Sequence, residues 1–270
     1  MENQTPLVDN EEIAIVERRR TLRIATLAAV ILALMWNVPE LNPLLAPLRL
    51  FVTYVHEAGH ALGAILTGGR VIGFLVSADG SGLATTAGGT RSVVIAAGYV
   101  GAALFGSGLF YIANRFSRWD RLISIGLGIF MVIFTFQFAH PDESGLPVAN
   151  IIGYAFGAAL IIAGWYAPRL LTLLILNVLA VSTALNAVLD VWYLTGNIGA
   201  TRGTISNDAV AFSREITGRL VPASVVALVW AAMAAGMFLA AVYYGIWKPL
   251  QDEMEDTYER IRTRPDRFDL

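Results

Sequence analysis

Two histidines and a carboxylate stand in the apolar stretch Phe51-Val-Thr-Tyr-Val-His56-Glu57-Ala-Gly-His60-Ala-Leu-Gly-Ala-Ile-Leu66. On a helix, positions four apart share one face a turn apart, so His56 and His60 can hold one metal ion while Glu57 projects beside them toward a bound water. This H-E-x-x-H spacing suits zinc, which takes imidazole nitrogens at about 2.0–2.1 Å and, in catalytic sites, a third protein ligand plus an open position. The chain holds 3 histidines in all, and two of them make this pair. It has no cysteine, so Zn2+ must be held by His, Asp or Glu. The motif supplies two of three ligands.

The elements that position these residues are membrane helices. Of 270 residues, 56% are hydrophobic and 15% charged, with mean hydropathy +0.61, against about 25% charged in an ordinary soluble domain. An ionisable group deep in such a segment costs about 2.5–3.5 kcal/mol on insertion scales, which makes it functional by default. The expected fold class is an all-α polytopic membrane protein of about seven transmembrane helices, with a small β-hairpin after the motif helix. The spans fall at 24–36, 48–66, 92–114, 122–140, 150–167, 170–194 and 223–247; the first is short, and the other six are each near the length that crosses about 30 Å of hydrocarbon. Residues 1–22 form a polar N-terminal tail, 23–247 one membrane-embedded domain, and 248–270 a charged C-terminal tail. Arg18, Arg19, Arg20 and Arg23 precede the first span and favour a cytoplasmic amino terminus. A net charge of −2 without a basic stripe gives no sign of nucleic acid as a partner.

The hairpin is expected over 68–89, where β-branched and aromatic residues flank the Asp79-Gly80 turn. It is either a plain surface hairpin or an edge to which an unwound substrate segment adds as a strand. In the third span, Gly98, Ala102 and Gly106 recur every four residues, as do Gly153 and Gly157 in the fifth; small residues at that spacing let helix backbones approach. That pattern is read as packing. His140, among turn-forming residues, reads as a solvated loop position.

Of 21 acidic residues, only Glu57 and Asp190 lie within the apolar segments. Asp190 is therefore the expected third ligand. Asn186, one turn earlier on the same face, is the candidate for binding a substrate carbonyl. Asp208 competes with Asp190. It follows Ser206 and Asn207, either of which can cap a helix, and there it favours the positive helix end; its functional reading is an alternative ligand or a gating residue. Ala209, Phe212, Ile216 and Leu220 make an apolar stripe on the same helix.

These residues resemble the site-2 protease family of intramembrane zinc metalloproteases, in its compact branch without attached soluble domains. The likeness runs through Tyr54-Val-His56-Glu57-Ala-Gly-His60, the Gly68-Gly69-Arg70 turn with its hairpin, Ala97-Gly98-Tyr99-Val-Gly101, Asn186 to Asp190, and Asn207-Asp208-Ala209. It implies His56 and His60 as zinc ligands, Glu57 as general base, and an aspartate on a later parallel helix as third ligand. It also implies a motif helix that enters from outside and ends in a cytosolic hairpin. The family's third-ligand motif usually carries proline near the asparagine and glycine after the aspartate, whereas here Val191 follows Asp190.

The expected function is a zinc-dependent intramembrane metalloendopeptidase that hydrolyses peptide bonds in or near membrane-spanning segments of membrane-protein substrates. The expected setting is the plasma membrane of a bacterium, with any regulatory partner another membrane protein. The alternatives are a non-catalytic membrane scaffold or chaperone that keeps the fold, or a zinc-dependent hydrolase of another membrane substrate.

Overall fold

The computed structural model describes residues 23–28, 30, 32, 42–142, 144–196 and 207–263, excepting the side chains of 42–43, 117, 187–196, 253, 256–258 and 260–263. Within them the order is α1 (Asn42–Leu66), β1 (Arg70–Val76), β2 (Gly82–Ala87), α2 (Arg91–Arg115), α3 (Asp120–Phe138), α4 (Val148–Tyr166), α5 (Arg169–Gly196), α6 (Asp208–Glu215), α7 (Ala223–Val242) and α8 (Lys248–Thr263). A five-residue π-helical stretch, Tyr243–Trp247, joins α7 to α8.

Among the described residues, five helices are long and apolar enough to cross a membrane: α2, α3, α4, the stretch Arg169–Asn186 of α5, and Ala223–Asp252. The expected seven are thus not all accounted for. Residues 29, 31 and 33–36 of the first span lie outside the described residues. The second is α1, whose 25 residues reach across a bilayer but carry the polar motif. That helix turns its polar groups inward, with Glu57 7% and His60 9% exposed. The outward faces are apolar, as Leu104, Ile133, Phe136, Leu228 and Leu239 show by their exposure, and a hydrocarbon solvent accepts them without cost.

Small residues set how closely the helices pack. Gly59 of α1 lies against the carbonyl of Ala97 in α2, where a methyl group has no room, and Gly106 of α2 meets the backbone of Ala180 and Ala184 in α5. Gly128 and Gly157 bring α3 and α4 together, and Gly153 receives the side chain of Thr135. Buried polar groups join the same helices: Asn114 Nδ2 donates to Asn177 Oδ1 at 2.9 Å, and Tyr54 Oη lies 2.8 Å from Thr135 Oγ1. In hydrocarbon these groups need partners within the protein.

The hairpin forms at the expected turn. Gly80 takes φ 92°, a region open to glycine, and the Ser81 N–H is held by Asp79 Oδ1 at 2.9 Å. The strands pair antiparallel, Phe74 opposite Ala84, with an irregularity between Val71 and Gly73. On the outer edge of β1, the exposed loop residue His140 donates its backbone N–H to the Phe74 carbonyl at 2.9 Å. The hairpin is thereby tied to the α3–α4 connection rather than lying free at the surface.

Candidate metal centre

Helix α1 brings His56, Glu57 and His60 together: a ligand atom from each lies within 4.8 Å of the other two. The two imidazole Nε2 atoms are 3.2 Å apart. Each ring is held from behind. His60 Nδ1 lies 2.7 Å from the Val94 carbonyl of α2; a carbonyl only accepts, so this nitrogen carries the hydrogen. His56 packs its ring against the edge of Tyr99, centroids 4.8 Å apart at 88°.

The third group to arrive is Asp208. Its Oδ2 lies 2.9 Å from His56 Nε2 and 3.1 Å from His60 Nε2. Local sequence explains how its carboxylate becomes available. Asn207 caps α6, accepting the Val210 N–H at 3.0 Å, so the first-turn donor is served without Asp208. Ala209 buries against α2 and α7 beside Ile95, Val226 and Trp230, and Val210 is buried too. Ser213 Oγ donates to the Val221 carbonyl at 2.6 Å, and Arg91 at the start of α2 pairs with Glu215 at 2.6 Å. Four anchors therefore fix a helix of only 8 residues, with Asp208 aimed at α1. The expected apolar stripe is used only in part: Phe212 packs on Trp230, while Leu220 is 89% exposed.

With its hydrogen on Nδ1, neutral His60 presents a bare Nε2 lone pair to a carboxylate oxygen at 3.1 Å and to a second imidazole nitrogen at 3.2 Å. Acceptors facing one another at this distance repel unless a positive charge sits between them or on the rings. The three atoms are 2.9, 3.1 and 3.2 Å apart, close to the roughly 3.3 Å that tetrahedral ligands around zinc adopt. The donor set and its spacing therefore fit a zinc ion.

Glycine at position 98 permits this convergence. A Cβ there would lie 2.6 Å from His56 Nε2 and nearer still to His60 Nε2. The repeat of small residues in α2 thus divides, Gly106 serving packing and Gly98 clearing the space the imidazoles share. Glu57 lies to the other side, where its Oε2 accepts the Ala84 N–H of β2 at 2.8 Å.

Of the remaining candidates, α5 continues helically past Asp190, but the Asp190 side chain lies outside the described residues. Asn186 is half-buried on α5. Neither Val94, which acts through its carbonyl, nor Ala84, which acts through its N–H, carries a side-chain signal; Gly98 carried one, in its place within the Gly98-Tyr-Val-Gly101 stretch.

The family model described as Peptidase M50B-like matches residues 24–241. No curated protein and no solved structure matches the chain significantly.

Proposed function

The chain belongs to the Peptidase M50B-like family, which is the site-2 protease family, and from that premise we propose that it is a membrane zinc metallopeptidase with His56, His60 and Asp208 as ligands. The observation that carries this reading is the meeting of His56 Nε2, His60 Nε2 and Asp208 Oδ2 at 2.9–3.2 Å, with the hydrogen of His60 committed to Val94. Asp208 is preferred to Asp190 as third ligand in this reading because its carboxylate stands 2.9 and 3.1 Å from the two imidazoles.

Zinc bound there would polarise the scissile carbonyl and lower the pKa of its water from 15.7 toward about 7. The chain's own groups supply the rest. Val94 holds His60 in the tautomer whose Nε2 is free to bind, as carbonyls behind metal-binding histidines commonly do. Glu57 takes a proton from the attacking water and returns it to the departing amine nitrogen as the C–N bond breaks. The five apolar helices set this chemistry in an integral membrane protein, so the substrate is a peptide segment in or near the bilayer, unwound so that its carbonyl is accessible. Asn186 and the hairpin are its candidate contacts. Arg18, Arg19, Arg20 and Arg23 favour a cytoplasmic amino terminus in a bacterial plasma membrane.

The test is zinc per chain by elemental mass spectrometry on detergent-purified protein. About one zinc is expected in wild type and in Asp190→Ala, and a loss in His60→Ala and Asp208→Ala. Glu57→Gln should keep the metal and lose hydrolysis of fluorescein-labelled casein. Folded wild type that takes up no supplied zinc would overturn the reading; loss in Asp190→Ala with retention in Asp208→Ala would return the third ligand to α5.

A further inference from the structure

The hairpin touches the site through one backbone group. Phe74 and Ala84 are cross-strand partners, and both direct backbone groups away from each other. The Phe74 carbonyl meets His140 on one edge of the sheet, and the Ala84 N–H meets Glu57 Oε2 on the other. That N–H therefore takes no part in the β1–β2 ladder, as alternation in an antiparallel pair requires. Two residues back on the same edge, a Cβ on Gly82 would lie 2.6 Å from Glu57 Cγ and 2.8 Å from Thr53 Cγ2. Thr53 Oγ1 in turn donates to the Gly80 carbonyl at 2.8 Å. Turn and strand are thus seated on the one turn of α1 that bears Thr53 and Glu57.

A glutamate side chain has three free torsions, and a base that must face one water needs them restrained. We propose that the Ala84 N–H is a positioning group for the general base: it fixes Glu57 through Oε2, leaving Oε1 to take the proton from water. The proposal rests on the reading of Glu57 as base. It makes the hairpin part of the catalytic apparatus rather than only a place for substrate to bind.

The outward direction of this N–H makes a clean test possible. Ala84→Pro removes it without breaking a ladder bond, and proline is tolerated at such an edge position. Leu83 before it is already extended, as a residue preceding proline prefers. Full-length, zinc-loaded Ala84→Pro and Ala84→Gly would be compared with wild type in detergent for zinc per chain and for kcat and KM on fluorescein-labelled casein. The expected result is undiminished zinc in both variants, with kcat at least about 10-fold lower in Ala84→Pro and KM within about twofold, the scale on which groups orienting a metal site act. Ala84→Gly, which keeps the N–H, recovers the rate. Independently of turnover, Glu57→Ala should speed hydrogen exchange at the Ala84 amide.

Wild-type kcat in Ala84→Pro would overturn the proposal, as would a raised KM at unchanged kcat, which would assign the N–H to the substrate strand. Equal exchange at Ala84 in wild type and Glu57→Ala, or loss of zinc in Ala84→Pro, would also overturn it. Failure of the peptidase reading itself looks different: zinc-loaded wild type is inert, or Glu57→Gln is as active as wild type.

Discussion

Replacing Gly98 by alanine should empty the metal site while leaving the fold intact. The added Cβ would stand 2.6 Å from His56 Nε2 and 2.5 Å from His60 Cε1, where ordinary contact begins at 3.4 Å. For His56 the difference, 3.4 minus 2.6, means that the ring must retreat by about 0.8 Å, and the His60 ring must retreat further, whereas zinc–ligand distances tolerate about 0.2 Å. Groups that merely orient a ligand are worth 10–100-fold in affinity. Displacing a ligand should therefore cost at least about 100-fold, or about 2.8 kcal/mol. The backbone effect runs the other way, since alanine is favoured over glycine within a helix by about 0.8–1 kcal/mol. Chelator competition would measure zinc affinity, and thermal unfolding of zinc-free protein would measure the fold. Gly108→Ala on the same helix is the control, because a Cβ there meets nothing within 4 Å; it should keep wild-type affinity. A folded Gly98→Ala protein with wild-type affinity would refute the argument that the imidazoles converge over this residue.

Asn177 is fully buried and joins α5 to α2 through Asn114. Its replacement by alanine should destabilise the protein by about 0.6–1.7 kcal/mol, the range for interhelical hydrogen bonds in a bilayer, measured by detergent unfolding with zinc per chain unchanged. Arg91 holds the Glu215 carboxyl below its ordinary value through hydrogen bonds of 2.6 and 3.2 Å. A depressed folded value means that this stabilisation is present above the unfolded carboxyl value of about 4.3 and lost as pH falls through the lower folded one. In zinc-free protein, the Tm deficit of Glu215→Gln should thus be seen at neutral pH and vanish in acid. With side chains 56% and 40% exposed, the pair is worth less than about 1 kcal/mol; a deficit that grew in acid would contradict the sign.

What was legible in the sequence divides by the distance over which the information acts. His56, Glu57 and His60 belong to one helical turn, so the 3.6-residue period alone implied their convergence, and α1 realises it. The apolar runs marked α2 to α5 and α7 to within a few residues, because hydrocarbon selects length and composition locally. The count of seven is not matched among the described residues: part of the first span lies outside them, and α1, read from sequence as a span, carries hydrophilic groups that face inward at the site and is not among the five helices long and apolar enough to cross a membrane. The third carboxylate is a different kind of problem. Sequence favours Asp190, because an acidic residue within an apolar run is costly, and keeps Asp208, which opens a short polar helix, as the alternative; the Asp190 side chain lies outside the described residues, while the Asp208 carboxylate stands against both imidazoles. Sequence cost ranks residues by their own segment, whereas contact with the imidazoles depends on where another segment is carried. Asn207 takes the cap, Ala209 buries against α2 and α7, Arg91 holds Glu215, and the carboxylate left over faces the imidazoles. Gly98 illustrates the same limit from the other side. Gly98 and Gly106 share one periodicity, yet one clears space for the imidazoles and the other for a helix backbone. The two backbone contributions, the Val94 carbonyl and the Ala84 N–H, have no residue type to announce them. Substitution of their side chains would leave both groups in place, so a side-chain scan would pass over them and only changes that remove the backbone donor or acceptor would expose their part in the site.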